Sequence, residues 1–240
     1  MPRFFLEDIA GDTAQITGED ARHISRVLRM GPGREIIISD TKGVDYTCRI
    51  LTESTDLVTV RIISSAPCKA ETKTPIKLYQ AMPKGDKLEH IIQKAVELGA
   101  AEVTPVMTSR CISRPGARGM ERKLQRWQRI AYEAAKQSGR GIIPAVKPLL
   151  NFSDAICEMS KSGLAILFYE ESESPLRSIA VNEPESVAVM IGSEGGFSAA
   201  EAEFAREKGV FAVSLGPRIL RCETAPVCAL SALLYNLGEI

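Results

Sequence analysis

At 240 residues the chain exceeds one average domain, so length alone points to one large or two modest domains. Apolar residues make up 45% and charged residues 25%, as expected of a soluble globular chain that buries a real core. The formal net charge of +0 excludes a whole-molecule field that would draw in a polyanion, so any nucleic-acid contact must rest on local charge. Cys48, Cys68, Cys111, Cys157, Cys222 and Cys228 form no C-x-x-C pair, and two histidines accompany them, so no metal site is expected. Met1-Pro2-Arg3-Phe4-Phe5-Leu6 is cut short by Glu7-Asp8, too brief an apolar run for a signal peptide. No stretch approaches the ~20 apolar residues of a membrane span. The expectation is a reduced, cytoplasmic protein without a membrane partner.

In chain order, residues 1 to about 66 read as short β segments. Arg34–Ser39, Tyr46–Ile50 and Leu57–Ile62 are β-rich and separated by turn signals at Gly31-Pro32-Gly33 and Asp40–Gly43. Between them one helix fits, capped by Thr17 with Asp20 three residues on, and Ile24, Val27 and Leu28 supply its apolar face. Five or so short strands in this length suggest a small barrel. Ala66–Pro75 is polar, carries two prolines and reads as a linker. Residues 1–70 and 71–240 are therefore expected to be separate domains.

Beyond the linker, strands and helices alternate. Ile76–Met82 is a strand, and Asp86–Leu98 a helix with Leu88, Ile91, Ile92, Ala95 and Val96 on one face. A strand follows at Glu102–Met107, then a long helix over Met120–Ser138 striped by Leu124, Trp127, Ile130, Ala131 and Ala134. Leu164–Tyr169, Val187–Ile191 and Val210–Leu215 are strands. Ser198 and Glu201 form a capping box, and Ala225–Leu237 closes the chain as a helix. This alternation predicts an α/β fold with a mostly parallel sheet.

In such sheets ligands gather outside the carboxyl ends of the strands. Three strand ends carry unusual sequence: Leu167-Phe168-Tyr169-Glu170, Ile191–Phe197 and Leu215–Pro226. The glycine-rich second segment lacks the Gly-Lys-Ser/Thr of a P-loop, and no G-x-G-x-x-G follows the first strand. By itself it reads equally well as a structural turn. The third segment interleaves Ile219 and Leu220 with Arg218, Arg221 and Glu223, which suits a wall that cups a flat ring and holds a polar tail. Anchoring of Ile219 and Leu220 in the core is the plainer alternative. Between residues 110 and 140, nine basic residues face only Glu121 and Glu133. Counterion release rewards such clustering on a phosphate backbone, although an acidic protein partner would fit as well. Arg3, Arg22, Arg26 and Arg29 add a weaker basic set near the start. His23 and His90 carry no chemistry in this reading.

Taken together, Ile191–Ser198 and Leu215–Pro226 resemble the RsmE-type 16S ribosomal RNA (uracil-N3)-methyltransferases of the SPOUT superfamily. Pro2-Arg3-Phe4-Phe5, Lys84–Glu89, Gln93–Gly99 and Gln137–Arg140 agree in the same order, so the resemblance spans nearly the whole chain. It implies a PUA-like RNA-binding barrel followed by a trefoil-knotted SPOUT domain, and a homodimer that methylates N3 of a uridine in the small ribosomal subunit. The cofactor implied is S-adenosylmethionine, held by Leu167, Tyr169, Glu170, Gly192, Glu194, Gly195, Leu215, Gly216, Ile219, Leu220, Thr224 and Ala225. The chemistry of the reaction then needs a group to stabilise negative charge on the uracil, for which Arg221 is the candidate, and a base, for which Glu223 is the secondary one. A structural pair of Arg221 with Glu223 is the alternative. RNA contacts would come from Arg3, Arg22, Arg26, Arg29, Lys84, Lys87, Arg110, Arg114, Arg118 and Arg140. Ser193 stands where the family usually has proline, and Cys222 where it has threonine. Two other readings remain open: a catalytically inactive RNA-binding or ribosome-assembly protein, and a nicotinamide-dependent oxidoreductase, which the missing fingerprint disfavours.

Overall fold

The structure, a computed structural model, describes residues 1–113, 117–181 and 183–240, with backbone alone at 117 and 118. It divides into two compact units, Met1–Glu71 with Ala135–Ile143, and Thr72–Ala134 with Pro144–Ile240.

The first unit holds β1 (Arg3–Phe5), β2 (Thr13–Thr17), β3 (Glu35–Ser39), β4 (Val44–Glu53) and β5 (Leu57–Pro67) in the order β1-β3-β4-β5-β2. β1 and β3 run parallel and the other neighbours antiparallel. Edge strands β1 and β2 do not pair with each other, so the expected barrel is instead an open, curled half-barrel. Alternating side chains of the strands build its core, with Phe4, Ile16, Ile36, Ile38, Cys48, Ile50, Val58 and Val60 buried. β5 also runs to Pro67, into the expected linker, because Val44 and Asp45 of β4 pair with Pro67 and Ala66.

The helix expected near Thr17 is corrected in detail. α1 (Gly18–Arg22) passes directly into a π-helical turn over His23–Val27, and the Thr17 side chain makes no cap bond. The wider turn, closed by Leu28 N–H donating to His23 O at 2.9 Å, changes which residues face inward. Ile24 is buried, whereas Val27 is 66% and Leu28 37% exposed. The segment closes at Arg29 with a positive φ of 51°.

Residues 135–143 complete this unit. Arg140 is 3% exposed and pairs with Glu71, Nη2 to Oε2 at 2.6 Å, while Glu71 Oε1 accepts the N–H groups of Gly141 and Ile142. Ser39 Oγ donates to Gly141 O at 2.8 Å. Lys136 pairs with Asp20 at 2.7 Å and lies over the Phe4 ring.

The second unit contains β6 (Ile76–Ala81), α2 (Lys87–Glu97), β7 (Glu102–Met107), most of α3 (Ala117–Ser138), β8 (Ala145–Val146), β9 (Leu150–Asn151), α4 (Phe152–Met159), β10 (Leu164–Phe168), β11 (Val187–Ile191), α5 (Ala199–Glu207), β12 (Phe211–Val213) and α6 (Ala225–Asn236). Its sheet is parallel throughout, ordered β12-β10-β11-β6-β7-β8, with β9 also on β7. Every residue of β10 and β11 is buried, as a strand covered on both faces requires. The α2 stripe Leu88, Ile91, Ile92, Ala95 and Val96 is buried as predicted, each large aliphatic contributing roughly 1.5–3 kcal/mol. The Ser198–Glu201 capping box forms at α5. α4, started by Asn151 accepting the Asp154 N–H, escapes the sequence reading because it is a short helix of only eight residues.

Candidate active site

Because β10, β11 and β12 are parallel neighbours or near neighbours, their carboxyl ends open on the same edge of the sheet. There Phe168–Glu170, Ile191–Glu194 with Gly196, and Leu215, Gly216 and Arg218–Cys222 line a cavity of about 400 Å³, with Lys87 and Ala225 completing the wall. That volume lies in the range of small-molecule sites.

The loop after β11 is a fixed turn. Gly196 N–H donates to Ser193 O at 3.0 Å, and the buried Gln80 on β6 donates through Nε2 to Gly192 O at 3.1 Å. A Cβ on Gly192 would stand 3.1 Å from Gly196 Cα and 3.3 Å from the Phe197 ring, so the close approach needs glycine. Gly195 faces away from the cavity, under Arg110, whose Nη1 donates to Gly195 O at 3.1 Å. Glu201 holds the Arg110 segment there. Its carboxylate accepts Ser109 N–H at 2.8 Å and Ser109 Oγ at 2.9 Å, besides the Ser198 N–H of its own capping box.

The loop after β12 supplies the apolar side. Leu215, Ile219 and Leu220 stand on the rim, and Ile219 is 81% exposed. A large aliphatic group left in water beside a cavity is a surface that a ring can cover. Arg221 also faces the cavity. Its guanidinium makes no hydrogen bond or ion pair among the described residues, while its carbonyl accepts the N–H groups of Thr224 and Ala225 at 2.9 Å and launches α6.

One cation joins the two loops. Lys87, at the start of α2, places Nζ 3.0 Å from Glu194 Oε1 and 3.3 Å from Glu223 Oε2. Cys222 Sγ lies 3.8 Å from the same Nζ and donates to Glu223 Oε2 at 3.2 Å. The bond from Glu194, together with that from Glu223, holds the Lys87 ammonium above its ordinary range against a smaller loss from desolvation. Burial alone would raise Glu194, but its bonds from Lys87 and from backbone N–H groups hold it below. The Cys222 bond, the residue's own backbone N–H and Lys87 hold Glu223 below as well. Burial, reinforced by Glu223, pushes the Cys222 thiol up to about 12, so it stays protonated.

The residues expected around a cofactor are thus mostly brought together: Tyr169, Glu170, Gly192, Glu194, Leu215, Gly216, Ile219, Leu220 and Ala225 line the cavity. Leu167 lies in the core of the sheet, and Thr224 and Glu223 stand outside the lining, as does Gly195. Sequence reasoning anticipated Arg218 as part of the wall, but left Phe168, Ile191, Ser193, Gly196 and Cys222, all within its three strand-end segments, out of the cofactor set and placed Lys87 among RNA contacts. Ser193 and Cys222 did carry a signal, as departures from the family pattern.

Of the remaining basic residues, Arg22, Arg26, Arg29, Lys84 and Arg110 are exposed, Arg22 with a loose 3.6 Å contact to Asp56. Arg3 is buried against Asp45, bonding it through both terminal nitrogens, and Arg140 is buried against Glu71. Neither guanidinium is presented to a solvent-borne phosphate. Arg114 and the Arg118 side chain lie outside the described residues. Among the described residues no group of acidic, histidine or cysteine side chains is arranged to hold a metal, and no helix is long and apolar enough to cross a membrane.

Comparison with known proteins agrees with this geometry. Residues 70–234 match the model of an RNA methyltransferase domain, and residues 16–63 that of an RNA methyltransferase PUA domain. Ribosomal RNA small subunit methyltransferase E of Bacillus subtilis is 37% identical over 98% of this chain and 97% of its own length. The Synechocystis protein of the same name is 33% identical over 94% of this chain and 74% of its own. A crystal structure of the Neisseria gonorrhoeae protein of that name, bound to S-adenosylmethionine, superimposes with a TM-score of 0.88 at 33% identity, covering 98% and 97% of the two chains. The chain belongs to the ribosomal RNA small subunit methyltransferase E family of RNA methyltransferases.

Proposed function

We propose that this protein transfers the methyl group of S-adenosylmethionine to N3 of a uridine in small-subunit ribosomal RNA. The observation that carries the reading is the cavity at three parallel strand ends, in a chain that matches a cofactor-bound relative over nearly its full length. The trefoil knot, the homodimer and the uracil-N3 specificity belong to the same proposal and rest on the family resemblance. The cytoplasmic location rests on the composition, and a domain boundary near residue 70 on the polar, proline-bearing stretch Ala66–Pro75.

The residues present fit the cofactor. The exposed Ile219, with Leu215 and Leu220, offers an apolar cover for a purine ring, and the opposite loop offers polar groups at Gly192, Ser193 and Glu194 for ribose and amino-acid tail. S-adenosylmethionine, when bound, supplies a methyl group already activated by its positively charged sulfur. The protein therefore has mainly to align the uracil and manage its charge. As the N3–C bond forms, the N3 proton must leave. Arg221, without a side-chain partner among the described residues and facing the cavity, stabilises the negative charge that develops on the uracil oxygens. Glu223 stands outside the cavity lining, so it accepts the proton through one intervening water. Its low pKa keeps it ionised at neutral pH but makes it a weak base, so Arg221 must first make N3 more acidic. The base must be unpaired to expose N3, and the exposed Arg22, Arg26, Arg29, Lys84 and Arg110 are the phosphate contacts.

Incubation with labelled S-adenosylmethionine and small ribosomal subunits from a strain lacking this protein should give labelled N3-methyluridine by nucleoside mass spectrometry. Label on another base would overturn the specificity, and cofactor binding without transfer would favour an inactive RNA-binding protein.

Gln80→Leu should weaken cofactor binding about tenfold, because the Gly192 and Ala81 carbonyls lose their amide donor and the loop after β11 loosens. An unchanged Kd by calorimetry would show that the turn holds its shape without Gln80. The Lys87 cluster sets a pH dependence. A depressed carboxylate contributes order above its ordinary value of 4.5 and loses it as pH falls through its lower folded value. A raised lysine contributes below its ordinary 10.5 and loses order only as pH rises through a still higher value. Cofactor affinity should therefore show no midpoint from this cluster at neutral pH, and should fall only in solutions more acid than 4.5 or more alkaline than 10.5. A carboxylate titration near neutrality, seen by NMR at Glu194 or Glu223, would contradict the clamp.

A further inference from the structure

Among the described residues, two buried side-chain polar atoms have no hydrogen-bond partner: Gln80 Oε1 and Ser193 Oγ. Ser193 is 8% exposed and lines the cavity. Its own carbonyl is occupied by the Gly196 N–H, and the turn that this bond closes holds the backbone from which the hydroxyl projects. A hydroxyl removed from water and left unpaired destabilises the fold, so a protein that retains one beside a cavity gains from it only when the cavity is filled.

We infer that the Ser193 hydroxyl is a direct binding group for the polar part of the bound cofactor, a ribose hydroxyl or an oxygen or nitrogen of the amino-acid tail. This rests on the proposed S-adenosylmethionine site and deepens it. The apolar side chains of the rim, Leu215, Ile219 and Leu220, all come from the loop after β12, so that side takes the purine ring. Ser193 comes from the loop after β11, the side that receives the rest of the molecule. A hydroxyl both donates and accepts, so it can meet any of these groups by rotating about one bond. The target uracil, whose carbonyl oxygens are acceptors, is the second possible source of the same chemistry.

The test is Ser193→Ala, which removes the oxygen and little else, read by thermal melting without ligand and by calorimetric titration with S-adenosylmethionine. The two readouts should move in opposite senses. Without ligand, loss of an unpaired buried hydroxyl should leave Tm unchanged or raise it by about 2–4 °C. With ligand, loss of one hydrogen bond should raise Kd roughly five- to tenfold. A hydroxyl that merely braces the turn would lower Tm and leave Kd alone, which overturns the inference. Kd unchanged with a raised KM for ribosomal RNA would assign the contact to the uracil and overturn it too. If the unmodified protein failed to bind the cofactor at all, the proposed function itself would fall, an outcome the alanine variant cannot mimic.

Discussion

Replacing Arg221 by alanine is expected to lower kcat for methyl transfer about 10²–10³-fold, the usual cost of losing a preorganised charge-stabilising donor. Cofactor Kd should stay within about threefold, because an interaction made only as charge develops leaves ground-state binding alone. The geometry supports that separation. The Arg221 carbonyl anchors the first turn of α6 through the backbone, which alanine preserves, while its guanidinium engages no described residue. Arg221→Lys should recover part of the rate, since a point charge replaces a planar fork. A large rise in cofactor Kd with kcat intact would place Arg221 on the amino-acid tail instead. The measurement is single-turnover transfer beside calorimetry.

The second large effect is on stability. Arg140→Ala should destabilise the protein by about 3 kcal/mol, lowering Tm by roughly 6–12 °C, because it leaves the Glu71 carboxylate mostly buried without its cation. Glu71 keeps the N–H groups of Gly141 and Ile142, which places the cost at the low end for a broken buried pair. The double variant Arg140→Ala with Glu71→Ala should lose less than the two single variants summed. Arg26→Ala makes the contrast: an exposed arginine, its loss should weaken RNA binding and its salt dependence while Tm barely moves. If Arg140→Ala instead kept its Tm and lost RNA affinity, the buried pair would be a poor account of that residue.

Much of the second unit was legible because its signals are local. Five successive apolar residues in β10 and again in β11, the α2 stripe and the Ser198–Glu201 box are all set by neighbours within one or two turns of chain. The first unit was harder. Val27 and Leu28 sit at helical spacing from Ile24, yet the π turn adds a residue to the winding and sends both outward. Closure of the barrel depends on whether β1 meets β2, and no residue in either strand announces that. Arg3 and Arg140 read as phosphate contacts because their carboxylate partners lie 42 and 69 positions away. The site followed the same division. Ile219 and Leu220 were found from residue type and Leu215 from the family resemblance, whereas the role of Lys87 depended on two glutamates that the fold brings to it from different loops.

The return of residues 135–143 to the first unit has a consequence for biosynthesis. Glu71, Ser39, Asp20 and Phe4 all find partners in that stretch, so the half-barrel lacks its finishing contacts when Glu71 leaves the ribosome. Domains ordinarily fold as units in order of synthesis. Here β6, α2, β7 and most of α3 must be translated before the first unit can close, so the nascent chain carries an incomplete half-barrel until Ile143 emerges.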